Sequence, residues 1–135
     1  MSDADLILAP RTPAAASPRL PGGAPWDSIE ACRLCAQACS SGAQACLAGP
    51  QPEAAAEAVS LMLSCADLCR LSAFLTSRNA AHAATVRTAC ARLCERCAEA
   101  CARIDHADCR ACADRCRQCA LRCAPGPAVR RPGLH

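Results

Sequence analysis

A chain of 135 residues has room for one domain at most, and a single Trp and a single Phe exclude the aromatic core on which small domains commonly rely. Its net charge of +3 comes from 15 basic residues, all arginine, interspersed with 12 acids. That pattern argues against a nucleic-acid surface and reads as a solvated outer face. Residues 1–25 and 125–135 are rich in Pro, Ala and Gly and read as tails, leaving residues 26–124 as the folded part, with all 15 cysteines inside it. Met1 to Pro10 carries Asp3 and Asp5 and only a short apolar run, so no secretory, twin-arginine or membrane-spanning signal is visible; a cytoplasmic address and reduced thiols follow.

Asp27 followed by Glu30 resembles a capping box, with Trp26 just outside, and predicts a first helix over Ser28 to Ala48 stopped by Gly49 and Pro50. Its inward stripe is Cys32, Cys35, Cys39, Gly42 and Cys46, and Gly42 permits a close approach. Pro52 and Glu53 suit the start of a second helix, to Ser77, whose stripe holds Ala58, Met62, Cys65, Cys69, Ser72 and Thr76. Leu61, Leu63, Leu68, Leu71, Phe74 and Leu75 make this helix more apolar than one buried stripe requires, which suggests a contact with another subunit.

Asn79 can cap a third helix, Ala80 to Ile104, carrying Cys90, Cys94, Cys97 and Cys101 at steps of 4, 3 and 4. Asp105 and Asp108 can open a fourth, His106 to Ala124, carrying Cys109, Cys112, Cys116, Cys119 and Cys123, with Pro125 and Gly126 as its stop. The fold class is all-α: an antiparallel up-down four-helix bundle whose core is lined by cysteine. Counting rise from the turns predicts one layer of Cys35, Cys69, Cys90 and Cys116 and a second of Cys39, Cys65, Cys94 and Cys112. Above lie Cys46, Met62, Cys97, Cys101, Cys109 and His106; below lie Cys32, Cys119 and Cys123, with His82 also at the lower end.

Several chemistries use cysteine. Disulfides fit poorly, because the number is odd, the compartment is reducing, and i,i+3 and i,i+4 partners sit about 5–6 Å apart at Cβ against about 3.8 Å in a bridge. Plain packing explains two or three buried thiols rather than a stripe on every helix. CxxC occurs at Cys32/Cys35, Cys94/Cys97, Cys109/Cys112 and Cys116/Cys119, but a thioredoxin-like site needs a strand before it and no strand pattern exists. Zinc and iron–sulfur clusters take closed sets of four ligands and usually one or two sets suffice. A continuous line of thiols suits Cu(I), which accepts two or three sulfurs and shares them. Roughly one Cu(I) per thiolate also neutralises charge that is costly to bury. A zinc or iron–sulfur protein and a thiol redox regulator remain the alternatives.

The motifs CRLCAQAC, CADLC, CARLCERCAEAC and CRACADRCRQCALRC, spread over all four helices, resemble the four-helix-bundle copper storage protein family. The resemblance covers about residues 27–124 and implies a non-enzymatic protein that stores many Cu(I) ions on the cysteines. The family has exported and cytosolic branches, and with no export signal visible this chain looks like the cytosolic one; the resemblance further implies assembly into tetramers and partners that donate or accept copper. Met or His residues near an open end admit copper in that family, which makes Met62 and His106 the candidates here. Gly42 and the two-cysteine second helix depart from the pattern, so the upper layers are expected to hold fewer ions.

Overall fold

The computed structural model describes residues 25–50, 53 and 55–125. Expectations for the tails therefore lie outside the described residues, except at Pro25 and Pro125, as do Pro52 and Gly126. Four helices and no strand occur among the described residues: α1 (Pro25–Leu47), α2 (Ala56–Ser77), α3 (Ala83–Ala102) and α4 (Ala107–Cys123). Each packs on its two neighbours in a closed square, α1 on α2, α2 on α3, α3 on α4 and α4 on α1. By length and composition α2 alone among the described helices could cross a membrane; in this fold its inward face is buried in the bundle.

The helix ends differ from the sequence expectation in four places, one of them α2, which starts at Ala56, three residues after the expected Glu53. α1 begins at Pro25, so Trp26 is a first-turn residue, 56% exposed, and Asp27 sits inside the turn, where a carboxylate complements the helix dipole. Asn79 does not cap α3. It adopts φ 54° behind α2, with Asn79 N–H donating to Thr76 O and Ala80 N–H to Leu75 O, the pair of bonds of a Schellman stop. α3 consequently starts at Ala83, three residues later than expected, with His82 at its N-cap position. At α4 the N-cap is His106 rather than Asp105: its Nδ1 accepts from Asp108 N–H at 3.0 Å.

Among the described residues the buried apolar ones are all 15 cysteines, eleven alanines, Val59 and Met62. Two of the alanines on each helix stand seven apart: Ala36 and Ala43, Ala66 and Ala73, Ala91 and Ala98, Ala113 and Ala120. A seven-residue step returns to the same seam of a bundle, and a methyl group there lets two backbones come close. Alanine at the seams is what brings thiols on facing helices into contact.

Outside, Arg70–Asp67, Arg110–Asp105 and Arg117–Asp114 form ion pairs at 3.4, 2.9 and 3.2 Å. All are solvent-exposed and each contributes little, which fits the solvated outer face read from the sequence.

Candidate metal centre

Helix periodicity turns the cysteine stripes inward, and every one of the 15 is buried and free of disulfide in this structure. Sulfur meets sulfur between helices at 3.2 Å for Cys39–Cys112, 3.5 Å for Cys65–Cys94, 3.5 Å for Cys69–Cys90 and 3.5 Å for Cys32–Cys123. Along the helices five i,i+4 pairs stand at 3.8–4.0 Å, as at Cys119–Cys123 and Cys90–Cys94. The result is a connected line of sulfur on the bundle axis, with Cys46 and Cys109 meeting each other at its upper end.

Four groups of four sulfurs lie along that line: Cys32/Cys90/Cys119/Cys123, Cys35/Cys69/Cys94/Cys119, Cys35/Cys39/Cys65/Cys116 and Cys39/Cys97/Cys112/Cys116. The flat layers expected from the sequence are therefore corrected. Only the second group takes one thiol from each helix, and it contains Cys94 and Cys119 where Cys90 and Cys116 were expected. The late start of α3 explains the first exchange, since three residues of rise lower that helix by about 4.5 Å, close to one turn. On α4, Cys116 falls between Cys35 and Cys39, at 3.5 and 3.6 Å, because facing side chains interlock instead of meeting head to head.

Cys46, Cys101 and Cys109 belong to none of the four groups. They form the upper end, with Cys46–Cys109 at 3.3 Å and Cys101–Cys112 at 3.6 Å. Met62 is fully buried below them, and its thioether fills the space left by Gly42: a Cβ there would meet Met62 Sδ at 2.7 Å. The gap in the α1 stripe is thus occupied by sulfur from α2. His106 is exposed and lines a cleft of about 380 Å³ together with Cys46, Gly49, Ala55 and Ile104. At the lower end the Cys32 thiol donates to Ser72 Oγ at 3.5 Å, and Arg87 donates to Thr76 Oγ1 at 3.0 Å. His82 lies exposed at that end.

Cys39 is held well above the ordinary thiol range, first by its bond to Cys112, and Cys94 likewise, first by Cys116; burial raises both further. Cys112 is held below that range as it accepts from Cys101, and Cys32 is lowered to about 4 by Cys119 and then Cys123. Burial pushes Cys109 up to about 12, with the bond to Cys46 adding to it. A soft cation entering such a line replaces the S–H protons with metal–sulfur bonds, and binding releases protons.

The sequence reading found every one of the clustered thiols. It missed the seam alanines, whose seven-residue spacing on all four helices was visible in the chain.

A family-level sequence profile described as "Copper storage protein" matches residues 25–126. Among solved structures, a cytosolic copper storage protein from Streptomyces lividans with five coppers is 36% identical, TM-score 0.71, over 73% of this chain and 88% of that one. A Cu(I)-bound copper storage protein, BsCsp3, is 32% identical, TM-score 0.69, over 71% and 91%. Apo copper storage protein 3 from Bacillus subtilis is 33% identical, TM-score 0.65, over the same shares. A comparison with curated proteins finds no match.

Proposed function

The chain belongs to the copper storage protein family, and from that premise we propose that it stores and sequesters many Cu(I) ions in the cytosol, without catalysis. The observation that carries this reading is the sharing of sulfurs between neighbouring groups: Cys35, Cys39, Cys116 and Cys119 each belong to two. Four closed tetrahedral sites would need 16 thiolates, while the groups together hold 12 different cysteines. Bridging thiolates satisfy Cu(I), which takes two or three sulfurs and forms chains of ions. All 15 cysteines are proposed as ligands, with Met62 as a neutral thioether ligand at the Gly42 gap and His106 as the residue that receives copper at the upper cleft.

Anaerobic titration of reduced protein with Cu(I) against a strong competing chelator tests the reading. Saturation on the order of one ion per cysteine is the expected result. Saturation at about one to four ions would sink it in favour of discrete structural or electron-transfer sites.

Assembly is part of the proposal. On the outer face of α2, Leu63, Leu71 and Phe74 are 47, 45 and 63% exposed, and Arg78 lies 5.6 Å from the Phe74 ring centre. An apolar helix face of this kind serves as the contact with further copies of the chain in a tetramer. Light scattering on the Leu71→Glu/Phe74→Glu variant should give a smaller assembly with unchanged helicity. An assembly of unaltered mass would place the contact on another face.

A further inference from the structure

Cys46 and Cys109 stand outside every four-sulfur group and face each other at 3.3 Å, joining the last turn of α1 to the first turn of α4. Cys46 lines the upper cleft and is 8% exposed, the most of any cysteine, while Cys109 is fully buried behind it. Closeness alone does not set this pair apart, since Cys39 and Cys112 lie at 3.2 Å. Access and freedom to move do. Cys39 and Cys112 have no exposure and sit within α1 and α4, whereas Cys46 is next to the last residue of α1 and Cys109 is two residues into α4. An oxidant has to reach one sulfur, and the pair has to close by about 1 Å to the roughly 2.05 Å of a disulfide. Helix ends fray at little cost, so the terminal turns can supply that movement.

We propose that Cys46 and Cys109 are an oxidation site for hydrogen peroxide and form a disulfide latch across the upper end of the bundle. Cys46 Sγ attacks one peroxide oxygen and the O–O bond breaks, leaving a sulfenic acid on Cys46 and releasing water. Cys109 Sγ then attacks the oxidised sulfur, the S–O bond breaks, and the disulfide forms with release of a second water. Two electrons pass from the two thiols to one peroxide, and both thiol protons leave in water. The bond ties α1 to α4 in front of the sulfur line and withdraws the two thiols nearest the cleft, so copper neither enters nor leaves there. That consequence rests on the storage reading; the cross-link itself does not.

The test treats reduced, metal-free, full-length protein with an equimolar amount of hydrogen peroxide, alkylates it in denaturant, and maps the peptides by mass spectrometry. The expected product has lost two of its 15 thiols and carries Cys46 linked to Cys109 as its dominant bridge. In Cys109→Ser the sulfenic acid on Cys46 persists and is trapped by dimedone. A dominant bridge elsewhere, or a Cys46→Ser variant oxidised as fast as the parent, overturns the site. Uptake of Cu(I) by the cross-linked protein should be several-fold slower than by the reduced protein, and reduction before loading should restore it. Unchanged uptake with the bridge in place overturns the latch, while saturation stoichiometry judges the storage reading separately.

Discussion

Copper-loaded protein should melt more than about 30 °C above the metal-free protein, because the core is built to be completed by the ions. In the empty state the buried apolar residues among those described are cysteine and alanine with only Val59 and Met62 added, so each contributes little apolar area. Without metal the thiols still satisfy one another through S–H···S contacts such as Cys39–Cys112, Cys65–Cys94 and Cys69–Cys90. Each ion that binds only the folded chain at about 100-fold above its Kd adds about 2.7 kcal/mol, and ten such ions would add about 27 kcal/mol. Thiols of the unfolded chain also bind Cu(I), which reduces the gain, yet even half of it exceeds the whole stability of an ordinary domain, about 5–15 kcal/mol. Circular dichroism at 222 nm on empty and loaded samples reads this directly, and stripping the metal with a chelator should return the lower transition. Transitions within a few degrees of each other would mean that copper sits somewhere other than the interior.

The second large effect comes from cutting the sulfur line at its centre. Cys35, Cys69, Cys94 and Cys119 form the group drawn from all four helices. Changing all four to Ala removes one buried sulfur per helix at about 1 kcal/mol each, which a stable bundle survives. Changing them to Ser would instead bury four hydroxyls, each costing about 1–3 kcal/mol where no partner is found, and should unfold the empty protein. The Ala variant decides between shared and closed sites. With bridging thiolates, capacity should fall by about four ions and stay near ten. With closed sets of four, only Cys39/Cys97/Cys112/Cys116 survives intact, since Cys35 and Cys119 each serve two groups, and the variant should retain about one ion. Elemental analysis of the desalted complex distinguishes these outcomes.

The sequence was informative about faces and poor about heights. Cysteines at steps of 3 and 4 can only lie on one side of a helix, so the burial of Cys32 through Cys123 followed from 3.6-residue periodicity alone. Helix boundaries were less legible, because one residue type serves several roles. Asn79 is equally suited to an N-cap and to the left-handed position behind a helix, and packing of α2 against α3 selected the second. His106 won the α4 cap from Asp105, although acidic residues are the usual reading there.

What the sequence determined by itself is therefore the chemistry: four helices each carrying a cysteine stripe, broken at Gly42 on the first and reduced to two thiols on the second, and a soft-metal interior without aromatic filling. Only the tertiary structure decided which sulfurs meet. The turn between α2 and α3 set the height of Cys90 and Cys94, the seam alanines set the distance between helices, and interlocking placed Cys116 between Cys35 and Cys39. It also filled the Gly42 gap with the Met62 thioether and left Cys46 and Cys109 as a separate pair at the cleft. The reason is physical: periodicity fixes the direction of a side chain about its own helix axis, whereas axial offset between helices comes from turn lengths and packing, which no single stripe encodes.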